Sequence, residues 1–377
     1  MGRDTSLDDP MLRLAQCTAQ LFAWFDLHGG QMLDGVHRAG AHLMCHAATD
    51  DPVHAHAARA ALQTLLTAEL PVALGARAAL GGACLQANEV LGDRLFLDAA
   101  HSLAESIAHG TRQDHGDGLC FSALPERMLA VHHANLQAAA FLARTGRRLG
   151  EASFVELARQ ATAFGLASQR LDGGWLHGED RPLRWPDRFH AGSRVCSLLE
   201  LAQCDVHPAL HAALARALRY LMALHFDANG VPHGAQRDDE PGECELLAAA
   251  ECMGALACLA TTEPRAGRRA ARLAAQLADW TSAHLQAWSL WRDPPSVHSP
   301  GRLLGALVRV QALGDGPWQE REPQSLAPAG RRPAHGRVGS LEPVEPNGSH
   351  GSYGSYGLPS SPVPAGRASH PVSGRLH

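Results

Sequence analysis

The segment at residues 171–193 concentrates side chains that could do chemistry. It reads LDGGWLHGEDRPLRWPDRFHAGS and holds three Asp, one Glu, two His and two Trp, whereas the residues around it are mostly Ala and Leu. Asp187 and His190 are three residues apart at the expected start of a helix, so they share one face of it. This spacing predicts a catalytic or ligand-binding pair. An N-cap role for Asp187 and an ordinary buried position for His190 are the alternative.

Two further carboxyl groups and two indole rings in the same segment are typical of a carbohydrate site. Glu179 and Asp180 lie between Trp175 and Trp185. Flat aromatic faces suit the C–H surfaces of a sugar, and carboxylates accept hydrogen bonds from its hydroxyl groups. A glycosidase needs two carboxyl groups, ~5–5.5 Å apart for retention or ~6.5–9.5 Å apart for inversion. The candidates are Glu179, Asp180, Asp187 and Glu245. The alternative is that these residues only form a structural DGG turn, whose aromatic side chains close the ring and whose charged side chains are solvated.

Basic and amide side chains extend this candidate site. His133 and Asn135 follow His132 in the expected sixth helix, and because they are two residues apart they cannot share a face. Five arginines lie near the same segments: Arg127, Arg181, Arg184, Arg188 and Arg194. Together with the positive N-terminal ends of helices, they favour an acidic ligand such as a uronic acid or a sugar phosphate. Pairing of these arginines with nearby Asp and Glu is the alternative.

Other reaction chemistries have weaker support in the sequence. Cys45, His46, His54 and His56 are of metal-binding types, but their spacing matches no closed zinc site, so we predict no metal. The sequence contains neither a Gly-rich phosphate loop nor a nucleophile elbow, so we also predict no cofactor.

Composition narrows the class of protein. The chain has 377 residues, 45% of them hydrophobic, and a net charge of −5 without a basic stripe, which argues against a nucleic-acid partner. Nine Cys without a CxxC pair predict free thiols in a reducing compartment. The N-terminal MGRDTSLDD lacks the apolar stretch of a secretory signal, and we expect no membrane span. These features predict a cytoplasmic location.

Helical periodicity and connection lengths predict the architecture. Apolar residues recur at helical spacing in twelve segments: 10–27, 32–47, 52–69, 72–91, 94–110, 126–146, 151–170, 189–204, 207–226, 243–261, 264–287 and 300–314. Links after even-numbered helices are short, whereas links after odd-numbered helices are mostly long. Short links make antiparallel neighbours, so the long loops emerge at one end. We predict an all-α (α/α)6 toroid of six hairpins over residues 1–314, with the even helices inside. An open solenoid is the alternative.

The last 63 residues, 315–377, differ in composition from the rest of the chain. They are rich in Gly, Pro and Ser and have almost no apolar periodicity. Such a segment buries too little apolar surface to offset its ordering entropy, so we predict a disordered tail.

Three segments resemble (α/α)6-toroid proteins associated with polysaccharide biosynthesis, within the superfamily of six-hairpin glycosidases and terpenoid-cyclase-like toroids. GLCFSALPERMLAVHHANLQAAAFLAR at 118–144 looks like their "CFSY-P … V-NAN-L-A-LLAR", SQRLDGGWLHGED at 168–180 like "SRQ-DGSW-YGE", and RWPDRFHAGS at 184–193 like "W-D-FHTGY". The order and spacing agree with the family over roughly residues 75–314. The resemblance implies the toroid fold and a connection with exopolysaccharide.

This chain departs from the family pattern at several positions. Ala191 and Ser193 stand where the family has Thr and Tyr, and His133 replaces the first Asn of NAN. In the tenth helix Glu245 replaces Asp, and Leu246 replaces His. The family's chemistry is therefore expected in a variant form or not at all.

Two functional hypotheses follow. In the first, the protein binds or transforms a carbohydrate by acid/base cleavage or isomerisation. Asp187 and Glu179 would form the acid/base pair with His190 beside them, and the substrate would contact Trp175, Trp185, Asn135, His133, Asp180, Arg188 and Glu245. In the second, the toroid is a catalytically silent scaffold or regulatory partner in a polysaccharide-assembly complex.

Overall fold

The computed structural model describes residues 10–28, 32–116, 118–233, 243–287 and 300–314. Within these ranges the chain is mostly helical. The helices are α1 (Pro10–His28), α2 (Met32–Thr49), α3 (Pro52–Thr67), α4 (Leu74–Leu91), α5 (Arg94–Ala108), α6 (His132–Leu149), α7 (Ala152–Ala167), α8 (Ala191–Gln203), α9 (Leu210–His225), α10 (Glu243–Thr262), α11 (Pro264–Ala287) and α12 (Pro300–Gly314). The predicted tail at 315–377 lies outside the described residues, so its disorder stays a prediction.

The even-numbered helices close into a ring. Each packs against the next, in the order α2, α4, α6, α8, α10 and α12, and α12 packs back against α2. The odd-numbered helices lie outside: α3, α5, α7, α9 and α11 each pack on the preceding inner helix, and α1 packs on α11 and α12. The contact between α12 and α2 excludes the open solenoid. The predicted (α/α)6 toroid is confirmed.

The short links that reverse the chain are encoded locally. Gly92 and Gly150 end α4 and α6 with φ angles of 68° and 75°, a left-handed conformation that favours glycine. Asp51 and Asp93 cap α3 and α5, and their carboxylates accept hydrogen bonds from the amides of Val53 and Leu95. These caps stop one helix and start the next within two residues, which holds each inner–outer pair antiparallel.

The largest difference from the predicted boundaries lies before α6. The sequence predicts a helix from residue 126, but the helix begins at His132. The chain first forms an antiparallel hairpin of β1 (Arg112–His115) and β2 (Gly118–Phe121). The Ser122 hydroxyl then donates to the Arg127 carbonyl and accepts from the Leu129 amide, so these backbone groups are satisfied without a helix.

The inner helix α10 is apolar because it is enclosed. Its window Glu245–Thr262 has a mean hydropathy of 1.3, so by length and composition this helix could cross a membrane. About two thirds of that window (67%) is buried inside the protein, where α10 packs on α8, α11 and α12. Such burial is the usual property of a core helix.

Candidate functional site

The long loop between α7 and α8 folds back over the N-terminal ends of the inner helices. The Asp172 carboxylate accepts from the Gly174 amide, and Gly173 has a φ of 92°, which makes the tight turn at DGG. Isolated bridges then join Leu176 to Pro186 and Val131 to Gly178. These bridges bring the loop onto the starts of α6 and α8, where the predicted site residues lie.

Asp187 is the centre of a buried polar cluster. Its side chain is fully buried, and its Oδ2 accepts hydrogen bonds from His177 Nδ1 at 3.1 Å, His190 Nδ1 at 2.9 Å and Arg194 Nη2 at 2.5 Å. Its Oδ1 accepts from the His190 amide. Burial alone would raise the pKa of Asp187, but hydrogen bonds from His177 and His190 and the charge of Arg194 outweigh it. They hold the pKa well below its usual range.

This arrangement gives Asp187 a positioning role. An ionised carboxylate only accepts hydrogen bonds, so the Nδ1 atoms of His177 and His190 carry the protons they donate. The Nε2 atom of a neutral His190 is then the acceptor and can take a proton from a ligand. Burial lowers the pKa of His190 and outweighs the opposing charge of Asp187, so the ring is neutral at pH 7.

His133 joins this cluster to the inside of the ring. Its imidazole stacks on that of His190, with ring centroids 3.7 Å apart and planes within 4°. His133 Nδ1 is buried without a hydrogen-bond partner among the described residues, and burial lowers the pKa of His133 well below its usual value. His133 also lines the central cavity. The stacked pair therefore connects Asp187 to the space inside the toroid.

The central cavity is formed by all six inner helices and has a volume of about 570 Å³. Ala, Gly and Leu make up about half of its wall, and polar or charged side chains make up about a third. Glu251 and Arg302 form an ion pair on this wall at 2.6 Å, and their charges act on the pKa of His190 from opposite directions. The volume suits a small sugar, since ligand pockets usually measure ~300–1,000 Å³.

Glu179 lies in different surroundings from Asp187. It lines a second cavity of about 540 Å³ with His115 and Phe164. Its carboxylate is 3.1 Å from the Nε2 of His132, which is almost fully buried. Burial lowers the pKa of His132 to about 4 despite this carboxylate. The structure thus brings Asp187 together with His190 and His133, and Glu179 together with His132.

Two of the predicted substrate-binding residues have structural partners inside the protein. Trp175 is 2% exposed, and its indole N–H donates to the Gly165 carbonyl. Asn135 is fully buried; it accepts from the Phe121 amide and donates to the Ala161 carbonyl. These bonds tie α6 and the loop to the neighbouring hairpin and to α7.

Trp185 is the aromatic residue that the site offers to solvent. It is 43% exposed, and its ring stacks on His177 with centroids 4.4 Å apart. Asp180, Arg188 and Glu245 are also exposed. Of the five arginines near the site, only Arg194 is buried, and it pairs with Asp187.

The cluster contains metal-ligand types, but its geometry fits a hydrogen-bond network better. Three His and Asp187 place one potential ligand atom each within 4.8 Å of the others. However, two of those His donate Nδ1–H to the same Asp187 oxygen that binds the Arg194 guanidinium. A divalent cation there would lie beside a buried positive charge. The geometry therefore favours a hydrogen-bond network over a metal site at this cluster.

His177, Glu251 and Arg302 belong to the site, although sequence reasoning did not select them. His177 comes from a loop whose return path the sequence does not specify. Glu251 and Arg302 lie on α10 and α12, far along the chain from the other site residues. The sequence signal that could have identified Glu251 and Arg302 is their position on inner helices of the predicted ring.

No protein-family model and no curated protein matches this chain. Several solved structures do match it. A protein from Listeria innocua is 12% identical with a TM-score of 0.58, covering 75% of this chain and 85% of its own. The GH76A α-1,6-mannanase from Salegentibacter sp. is 14% identical with a TM-score of 0.57, covering 81% and 99%. An unsaturated glucuronyl hydrolase specific for heparin is 12% identical with a TM-score of 0.56, covering 81% and 96%.

The fold is that of the six-hairpin glycosidases. At these identities the likeness establishes the (α/α)6 toroid alone, and it confirms the resemblance at the level of fold.

Proposed function

We propose that this protein binds an acidic sugar and transfers a proton to or from it through His190. The observation that carries this proposal is the hydrogen-bonded pair of His190 and Asp187, stacked on a histidine that lines the central cavity. The toroid neighbours include an α-1,6-mannanase and a glucuronyl hydrolase, which supports a carbohydrate ligand. We further propose, from the sequence resemblance, a place in exopolysaccharide production, and, from the nine cysteines without a CxxC pair, a cytoplasmic location.

The chemistry that suits these residues is abstraction of the proton next to the carboxylate of a uronic acid. His190 Nε2 takes the proton, and Asp187 stabilises the resulting imidazolium without becoming protonated itself. Arg302, which is 22% exposed on the cavity wall, would bind the sugar carboxylate and neutralise the charge that develops there. Delivery of a proton to the opposite face of the deprotonated carbon gives isomerisation. Breaking of the C–O bond at the neighbouring carbon, with the leaving oxygen protonated by water or by the His190 imidazolium, gives cleavage by elimination.

Hydrolysis by two carboxylates has less support from the geometry. Asp187 is fully buried and hydrogen-bonded by three side chains, while Glu179 lines the second cavity. A hydrolytic pair needs both carboxyl groups on either side of one glycosidic bond. This separation favours the histidine-based reaction.

The test follows exchange of the sugar proton in D2O. Full-length protein is incubated with uronic-acid oligosaccharides, and NMR follows loss of the signal of the proton next to the carboxylate. We expect exchange with the wild-type protein and a loss of at least ~100-fold in His190→Gln, the usual contribution of a general base. His101→Gln is the control, because His101 pairs with Glu151 at the start of α7. Equal exchange in His190→Gln would contradict the proposal.

The second candidate function is the silent scaffold. It is favoured by the three hydrogen bonds that side chains of this protein donate to Asp187, because they satisfy the buried carboxylate without a ligand. A thermal-shift screen with uronic acids, neutral sugars and sugar phosphates distinguishes the two functions. A ligand at ~100 times its Kd adds ~2.7 kcal/mol to the unfolding free energy. A shift that Arg302→Gln abolishes supports the sugar site; no shift with any sugar, together with no exchange, supports the scaffold.

A further inference from the structure

A second reactive cluster lies on the cavity wall, away from Asp187. Cys196 on α8 and Cys258 on α10 face each other with their Sγ atoms 3.9 Å apart. The Arg309 guanidinium on α12 donates to Cys258 Sγ at 3.1 Å. Cys196 and Arg309 both line the central cavity, and both thiols are half-buried. Three consecutive inner helices thus bring two thiols and one positive charge together, and Cys196 and Arg309 connect this cluster to the central cavity.

The electrostatics of this cluster set Cys258 apart from the other cysteines. The hydrogen bond from Cys196 and the positive charge of Arg309 outweigh burial and lower the pKa of Cys258 to about 6. The same hydrogen bond and burial raise the pKa of Cys196. Glu200 opposes the ionisation of Cys258 without reversing it, and Glu251 opposes the ionisation of Cys196. These opposite shifts favour a thiolate at Cys258 beside a protonated Cys196.

The remaining thiols show what burial does without such partners. Burial raises the pKa of Cys84 and of Cys120 to about 12 and raises the pKa of Cys252, which lies on the same helix as Cys258. Those thiols are protonated at neutral pH and are poor nucleophiles. Among the cysteines that the structure describes, the contrast locates the reactivity where a second thiol and a guanidinium meet.

We propose that Cys196 and Cys258 form a reversible dithiol–disulfide pair that reacts with hydroperoxides entering the cavity. The Cys258 thiolate attacks one peroxide oxygen, the O–O bond breaks, and the leaving oxygen takes a proton from water to become an alcohol or water. Cys258 is then a sulfenic acid. Cys196 attacks its sulfur, the S–S bond forms, the S–O bond breaks, and the proton of Cys196 leaves with the oxygen as water. A dithiol reductant reverses the reaction.

Formation of the disulfide needs only a small movement of the two sulfur atoms. A disulfide has an S–S distance of ~2.05 Å, so the sulfur atoms must approach by about 2 Å, which side-chain rotations on two packed helices can supply. Oxidation links α8 to α10 and removes the thiolate that Arg309 binds. The charge of the cavity wall then becomes more positive. This proposal does not depend on the sugar reaction, since none of its residues belongs to the Asp187 cluster.

The test uses reduced full-length protein and one equivalent of hydrogen peroxide. We expect the free-thiol count to fall by two, the intact mass to fall by about 2 Da, and peptide mapping to find a Cys196–Cys258 disulfide, all reversed by dithiothreitol. Cys258→Ser should abolish the cross-link. Cys204→Ser is the control, because Cys204 is a half-buried thiol on the same chain with a pKa raised by burial. A disulfide between other cysteines, or sulfinic acid without a disulfide, would overturn the proposal.

Arg309→Met tests the activation of the thiolate. At pH 6 we expect oxidation to slow by about tenfold, because loss of the guanidinium raises the pKa of Cys258 and lowers its thiolate fraction. If this variant does not fold, the rate of iodoacetamide labelling of Cys258 in the wild-type protein serves instead. The midpoint of the pH dependence of this labelling rate should lie near pH 6. A midpoint at or above the ordinary thiol value would also overturn the proposal.

Discussion

Asp187 keeps a negative charge inside the protein next to a permanently positive one. Both it and Arg194 are fully buried, and their contact distance is 2.5 Å. Removal of one member of a buried pair leaves the other charge uncompensated, and that loss is larger than the net stabilisation by the pair itself. The cluster is therefore a structural requirement of the α7–α8 loop as well as the support of His190.

We expect Asp187→Asn to lower the free energy of unfolding by ~3–5 kcal/mol. The reason is the buried Arg194 charge that loses its counter-ion. Urea denaturation measures the loss, and the double variant Asp187→Asn/Arg194→Met provides the control. Because the two residues form one unit, the double variant should lose less than the sum of the single variants. Strict additivity would show that the pair is not coupled in solution.

The two tryptophans of the loop should respond in opposite ways. Trp175 is 2% exposed and Trp185 is 43% exposed. Trp175→Ala should cost ~3–5 kcal/mol of unfolding free energy, because it leaves a cavity and an unsatisfied Gly165 carbonyl. Trp185→Ala should cost less than ~1 kcal/mol and instead raise KM for the acidic sugar, since one face of this ring is free to stack. Urea titrations measure the stability loss of each variant, and initial rates measure the KM of Trp185→Ala. A large stability loss in Trp185→Ala would assign that ring to packing.

At the residue scale, sequence spacing predicted the meeting of Asp187 with His190, but the two residues meet in the turn before α8 and not on the helix; in that turn the Asp187 carboxylate accepts from the His190 amide. Pairing of the nearby arginines with Asp and Glu was the alternative to an acidic ligand, and the Arg194–Asp187 pair follows that alternative; its complete burial could not be predicted, because the loop must seal the start of α8. Sequence reasoning placed Trp175 and Asn135 in the site by type, whereas their hydrogen bonds run into the core. Burial depends on long-range packing, and a single sequence contains little of that information.

Close contact between inner helices depends on glycine at a few crossing points. A Cβ atom at Gly192 would lie 2.2 Å from the Glu251 carbonyl oxygen, so α8 and α10 can approach there only without a side chain. At Gly254 on α10 an added Cβ would meet nothing within 4 Å. The first glycine is required by packing, while the second only adds flexibility to a helix.

These two positions give a matched pair of variants. Gly192→Ala should separate α8 from α10 and destabilise the protein by ~1–3 kcal/mol, the usual effect of overpacking. Gly254→Ala should stabilise it by ~0.5–1 kcal/mol, because alanine restricts the unfolded chain and favours the helix. Thermal unfolding of both proteins checks the signs. Similar shifts of the same sign would mean that the crossing of α8 and α10 tolerates a methyl group.

At the element scale, the order and type of the helices could be predicted, because apolar periodicity and short capped links are local signals. The start of α6 could not, since residues 126–131 have helical composition but hydrogen-bond to Ser122 and to the loop at Gly178. The hairpin β1–β2 was missed for a related reason. Its buried strand packs on α7, a contact that a sequence pattern does not display.

Ring closure has an electrostatic consequence for the whole molecule. Twelve helices around one axis enclose many polar groups, and several of these are histidines. Burial lowers the pKa of His37 to about 3 and the pKa values of His132 and His225 to about 4. Burial also lowers the pKa values of His133 and His190, which leaves both rings neutral. These histidines lie on α2, α6 and α9, except for His190, which immediately precedes α8. In the unfolded chain each would titrate near pH 6.5.

We therefore expect the free energy of unfolding to fall as the pH is lowered from 7 toward 4. Below pH 6.5 the unfolded chain binds protons that the folded protein rejects, and each such histidine then destabilises the fold by up to ~1.4 kcal/mol per pH unit. Asp187 acts in the same direction at lower pH, because its lowered pKa stabilises the fold only while it is ionised. Urea midpoints measured at half-unit intervals give the slope. His132→Gln should reduce the loss between pH 6.5 and 4 by about 3 kcal/mol, while an unchanged slope in that variant would mean that His132 is already solvated in the native protein.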